Sequence, residues 1–164
     1  MIKKRSQISG MVFVYIFSAI IIALILIFGY KSIAGTKEKV EQTELAILKN
    51  EIISDIGNMK TDFGSSKKVS YLIPSQTQLC LFDLEKKDAI FERLPEGFNP
   101  LIIDSIRNNV MKNAFVWGNE IFEPFYMGEI EIREPYFYCL KPIAGKVSFV
   151  IEGLGNRTLI SANQ

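Results

Sequence analysis

The side chains able to do chemistry in this sequence are few and unevenly placed. Histidine is absent, which removes Ser-His-Asp and Cys-His catalysis and every histidine-ligated metal site. Glu120, Glu123, Glu129, Glu131 and Glu134 gather in residues 120–134 with only Arg133 opposing them. Hard carboxylate oxygens of this kind suit calcium. Yet Glu129 and Glu131 alternate with Ile130 and Ile132, the period of a strand with one wet face, and no Asp-rich loop has EF-hand spacing. The glycines of Gly153-Leu154-Gly155-Asn156 precede no helical pattern, so they read as a turn rather than a nucleotide loop. No nucleophile elbow, phosphate loop or metal motif is legible. The expectation is a non-enzymatic chain with no catalytic residue, no cofactor and no metal.

Three other features carry chemistry of a milder kind. Cys80 and Cys139 are the only two cysteines, and they lie in strand-like segments far apart in sequence. An exported domain would let them pair with none left over; the alternative is two buried thiols acting as small apolar residues. Asn156-Arg157-Thr158 fits the N-glycosylation pattern, which makes Asn156 a candidate acceptor. Trp117, Phe122, Phe125, Tyr126, Tyr136, Phe137 and Tyr138 form an aromatic concentration that reads as core or as a partner-binding surface.

The elements that must position these residues begin with an apolar run. Met11 to Gly29, MVFVYIFSAIIIALILIFG, contains no charge over 19 residues. As a helix it is about 28 Å long, close to the hydrocarbon thickness of a bilayer. Apolarity all round is not the pattern of a half-buried helix in a small domain. A net charge of +1 over 164 residues gives no basic face for nucleic acid. Its distribution is more telling, because residues 1–36 hold four basic residues and no acid. Lys3, Lys4, Arg5 and the amino terminus face Lys31, Lys37 and Lys39 across the span, and the denser N-terminal cluster favours a cytoplasmic N-terminus with the head outside. A cleaved secretory signal competes, since Ser32-Ile33-Ala34 before Gly35 has small residues where a peptidase needs them.

Lys3-Lys4-Arg5-Ser6-Gln7-Ile8-Ser9-Gly10, running straight into the apolar helix, resembles the class III signal of archaeal type IV pilin-like proteins. The N-terminal part is also similar to uncharacterised single-span archaeal membrane proteins. The resemblance covers about the first 35 residues. It implies a peptidase cut between Ser6 and Gln7, a long helix that is apolar first and amphipathic afterwards, and association with further copies or related pilin-like subunits.

Beyond the span, Leu45, Leu48, Ile52, Ile56, Met59 and Phe63 recur at helical spacing and make one stripe. The stripe lies on the sheet of its own domain or, widened by Val40 and Ile47, forms a coiled-coil or filament contact. Gly64-Ser65-Ser66 closes the helix. Strands are expected at 69–73, 78–84, 114–117, 125–132, 136–140, 146–151 and 157–160, a helix over 101–112, and a turn at 142–145. The resulting layout is α+β: a basic leader at 1–10, a transmembrane helix at 11–30, an amphipathic helix at 31–63, and a mainly antiparallel β head with one short helix at 64–164. The functional expectation is a single-pass, pilin-like surface protein in the lipid bilayer, or a monomeric tethered module whose head binds a ligand or partner.

Overall fold

The computed structural model describes residues 6–74, 76–118 and 124–162. Its elements are α1 (Ser6–Thr61), β1 (Ser66–Leu72), β2 (Gln78–Phe82), a 3₁₀ turn (Leu84–Lys86), α2 (Lys87–Phe91), α3 (Pro100–Arg107), β3 (Ala114–Trp117), β4 (Ile130–Ile132), β5 (Phe137–Leu140), β6 (Lys146–Gly153) and β7 (Thr158–Ala162). The chain divides into two compact units, Met1–Gln42 and Thr43–Gln164. The last turns of α1 therefore belong to the head.

The head is α+β with a mixed four-stranded sheet in the order β1-β6-β7-β4 and an antiparallel three-stranded sheet in the order β3-β2-β5. Among the described strands β4 and β7 pair parallel, with Ile130 opposite Thr158 and Ile132 opposite Ile160. Leu48, Ile52, Ile56 and Met59 of α1 are buried in a core with Val69 and Tyr71 of β1, Phe149 and Ile151 of β6, and Ile160 of β7. Each such aliphatic side chain contributes about 1.5–3 kcal/mol on burial. Phe63 does not continue the stripe: α1 ends at Thr61 and Phe63 is 78% exposed. Gly64 takes a φ of 79°, which turns the chain out of the helix and into β1. Val40 and Ile47 are exposed, outside that core.

The smaller sheet is covered on both faces. Leu79 and Leu81 of β2 and Ala114 and Val116 of β3 point into the α1 core. Their neighbours Cys80, Phe82 and Phe115 point the other way, into a second core with Ile90 of α2 and Ile102 and Ile106 of α3. Alternation across a strand thus explains why Leu79-Cys80-Leu81-Phe82 is apolar without interruption. Phe82 packs edge-on against Phe98 and Phe115 and is stacked on Phe137, with Trp117 edge-on to Phe98.

Several expected boundaries move, each for a local reason. Strand β2 stops at Phe82 because Asp83 caps the 3₁₀ turn, accepting from the Glu85 amide at 3.1 Å. The following α2 adds a helix to the one expected, so the head has two short α-helices. Asn99 caps α3 and Pro100 occupies its first turn, but the helix ends at Arg107. Asn109 adopts a φ of 54° there, leaving Val110 and Met111 exposed. Of the strand expected over 125–132, only Ile130–Ile132 pairs as a strand, while Phe125 makes an isolated bridge to Ala114. Gly153 of β6 lies so close to the end of α1 that a Cβ there would collide with the carbonyl oxygens of Met59 and Asp62.

Candidate functional site

Two features of the molecule can do something besides fold. The first is the apolar part of α1. From Gly10 to Ile33, 24 residues are long and apolar enough to cross a membrane, and none of that stretch is buried. By length and composition it is a membrane anchor or a signal sequence. Its polar interruptions are mild, and the Ser18 hydroxyl donates to the Tyr15 carbonyl at 2.9 Å, so that group is satisfied inside the helix. Self-satisfaction of this kind is what a hydrocarbon environment demands. Ser6 and Gln7 lie in the first turn of α1, while Lys3, Lys4 and Arg5 fall outside the described residues.

The second feature is a cleft of about 320 Å³ in the head, built where the 3₁₀ turn, the segment after α3 and the 126–130 segment converge. Asp83 lies in its wall only 1% exposed. Its carboxylate accepts from the amides of Glu85 at 3.1 Å and Ile132 at 3.2 Å. Burial raises the Asp83 pKa, and those two hydrogen bonds oppose the rise. Asn113 braces the opposite side: its Oδ1 accepts from the Met127 amide at 2.9 Å and its Nδ2 donates to the Gly128 carbonyl at 2.8 Å. Tyr126, Val110 and Met111 supply exposed apolar surface to the lining. The Tyr126 hydroxyl has its pKa raised, mainly by burial.

Charge at this cleft is answered locally. Glu85 pairs with Arg157 at 2.6 Å, and Glu129 with Lys60 at 2.6 Å. Lys87 donates to Asn109 Oδ1 at 2.6 Å. The Lys60 hydrogen bond holds the Glu129 carboxyl below its usual range, and Glu85 holds the Arg157 guanidinium above its own. Such a pocket suits an uncharged organic group better than an ion.

The acidic stretch read from the sequence does not converge on one point. Glu129 meets Lys60, Glu131 lies 4.0 Å from Arg157, and Glu134 pairs with Arg93. Glu120, Glu123 and Phe122 lie outside the described residues. Among the described residues no three His, Cys, Asp or Glu side chains gather as a metal site would need. Cys80 and Cys139 sit directly opposite each other on β2 and β5 and are joined by a disulfide. The indole Nε1 of Trp117 donates to Cys80 Sγ at 3.2 Å. Asn156 is exposed in the turn between β6 and β7, whereas Thr158, the third residue of its triplet, is 0% exposed. The Thr158 hydroxyl donates to the Ile56 carbonyl of α1 at 3.0 Å.

Sequence reasoning missed the cleft. Its one advance signal was Asp83, an acid directly after an apolar strand and two residues before Glu85, the position of a capping side chain. No protein-family model, curated protein or solved structure matches this chain.

Proposed function

We propose that this is a non-enzymatic, membrane-anchored surface protein of pilin-like organisation. Its apolar helix holds it in the bilayer and packs against neighbouring copies, and its head lies on the extracytoplasmic side. The observation that carries the reading is the apolar stretch Gly10–Ile33, exposed along its whole length. An apolar surface that large needs lipid or other helices around it. The disulfide supports export, because such bonds persist in oxidising compartments. The resemblance of residues 3–10 to a class III signal supports processing before Gln7. Met11 stands where bacterial pilins carry a glutamate, so contact between neighbouring helices rests on apolar packing.

The test is mass spectrometry of the mature N-terminus, done on membrane and soluble fractions, with native electrophoresis of the membrane extract. A chain beginning at Gln7 and running as helix-dependent oligomers is the expected result. A soluble chain beginning at Gly35 overturns the anchor. A membrane-bound monomer still beginning at Met1 overturns assembly and favours the second reading, a tethered binding module. The cleft beside Asp83 and Asn113 is the specific observation behind that alternative.

A further inference from the structure

One end of the head exposes apolar side chains beside cations that form no ion pair among the described residues. The turn between β5 and β6 carries Ile143 at its tip, 83% exposed, and the facing end of β1 carries Leu72, 62% exposed. These groups are neighbours: Leu72 pairs with Lys146 across β1 and β6, and Ile143 bridges to Lys146. Directly opposed residues share a sheet face, and the Ser148 to Ser70 hydroxyl hydrogen bond at 3.0 Å marks that face as the one turned away from the core. Lys141 and Lys146 flank the tip, both exposed. Among the described residues neither forms an ion pair, although Lys60, Lys67, Arg93 and Arg157 all do.

The position of this end within the head matters as much as its chemistry. Asp55 accepts from Lys67 at 3.0 Å and from the Tyr71 hydroxyl at 2.8 Å. The Met59 and Asp62 carbonyls lie against Gly153, beside Ser65 at the start of β1, so the last turns of α1 run antiparallel to β1 and Leu45 and Leu48 lie toward its Leu72 end. The Ile143 tip is thus at the same end of the head as Thr43, the residue where this unit begins. Nine residues separate Ile33 from Thr43, and a chain of that length spans at most roughly 35 Å in any conformation. Tethering by so short a link gives the head a high effective concentration at any surface that holds the anchor.

We infer that the Ile143 tip, with Leu72, Lys141 and Lys146, is a second bilayer contact that inserts apolar side chains among anionic lipid headgroups. The inference rests on the anchor reading above. Apolar tips with basic flanks bind such surfaces by combining burial with attraction to anionic lipid. Each lysine near an anionic surface strengthens association roughly fivefold.

The experiment uses the full chain in vesicles of phosphatidylcholine and phosphatidylserine carrying brominated acyl chains. Ile143→Trp places a reporter at the tip and Asn156→Trp places one at the far end of β6, with the unsubstituted chain setting the Trp117 baseline. The expected result is blue-shifted, quenched emission from Ile143→Trp and none from Asn156→Trp. Adding Lys141→Glu and Lys146→Glu should cut the membrane-seated population more than about tenfold. Flotation with no quenching of Ile143→Trp, or equal quenching at both reporters, overturns the contact while leaving the anchor standing. A chain that fails to float removes the anchor and this inference with it. A blue shift that grows with protein density and ignores lipid bromination assigns the tip to a second copy of the chain and overturns the lipid contact.

Discussion

Helix α1 contains two stretches with the same backbone and opposite surroundings. Between Gly10 and Ile33 every described side chain is exposed, including Phe13, Phe17, Ile21, Leu24 and Phe28. Between Leu48 and Met59 the apolar residues Leu48, Ile52, Ile56 and Met59 fall on one stripe and are buried, with Lys49, Glu51, Ile53 and Asn58 on the other faces. The second stretch is held by its own domain, because the sheet supplies a partner for one face only. The first has apolar groups on all faces, and no single sheet could cover them. Apolar surroundings on every side suit it, which a bilayer or a bundle of like helices provides and water does not. The shared hydrogen-bond pattern conceals this, since a helix satisfies its backbone equally well in either setting.

The sharpest way to break the comparison is charge. Replacing Ile21 and Leu24 together with lysine places two cations mid-span, each costing about 2.5–3.5 kcal/mol on insertion scales. Carbonate-resistant membrane association should be lost, while the isolated variant keeps the head's disulfide and thermal transition. Retained association would mean that lipid is not what surrounds this stretch.

Reduction acts on the other region alone. Opening the Cys80–Cys139 bridge, which closes a separation of 59 residues, should destabilise the head by about 4 kcal/mol in the chain-entropy treatment. Trp117 is the sole tryptophan, and its indole touches Cys80 Sγ, so its emission should rise as the quenching disulfide opens. Denaturant melts in the presence and absence of a phosphine reductant, followed at the tryptophan, measure both effects. Equal midpoints would show that the bridge contributes nothing.

Within the buried stripe, Ile52→Ala should cost about 2–4 kcal/mol through lost burial and the cavity left behind. Membrane association should stay unchanged. A matched change at Ile22 should leave the melting midpoint of the head where it was. Shifts in both assays for either variant would mean that the two stretches are energetically one body.

The smallest effect concerns the last turn of α1. Lys60 lowers the pKa of Glu129 from its ordinary 4.5, so the pair contributes above that value and the contribution fades as acid protonates Glu129 in the folded state. Lys60→Met should bring the Glu129 midpoint back toward 4.5, read by carbon-detected NMR titration. An unmoved midpoint would show that the pair is not formed in solution.

How much of this could be read in advance varied with the range of the interaction. The apolar span and the stripe from Leu48 to Met59 were legible because both are periodicities along one element. Strand β3 was legible from end to end for the same reason, as were the approximate places of β1, β5 and β6. What escaped depended on groups distant in sequence. The glutamates of 129–134 looked unopposed because their partners, Lys60, Arg93 and Arg157, lie 26 to 69 positions away. The double-sided burial of β2 was hidden because a run such as Leu79–Phe82 has no period to read. The helix at Lys87–Phe91 was missed because it is only five residues long and only Ile90 within it is buried. Asp83 alone hinted at the cleft, since Asp83, Asn113 and Tyr126 meet only after three segments have closed on one another.

The order of strands in the larger sheet has a consequence for how the protein is made. Strand β7 follows every other described element in the chain, yet it sits between β6 and β4, in the interior of the sheet. A ribosome therefore delivers the apolar helix well before this inner strand. Until Thr158–Ala162 emerges, β4 has no neighbour, the Ile56 carbonyl lacks the Thr158 hydroxyl, and the stripe of α1 stays partly uncovered. The apolar stretch Gly10–Ile33 is thus complete while the head is still unfinished. Once Thr158 has emerged, and until the sheet closes, its hydroxyl is free of the helix, so the triplet Asn156-Arg157-Thr158 is open from end to end only before the Ile56 contact forms. Synthesis thus separates in time what the finished fold holds together: the apolar helix emerges well before the strand that closes the head.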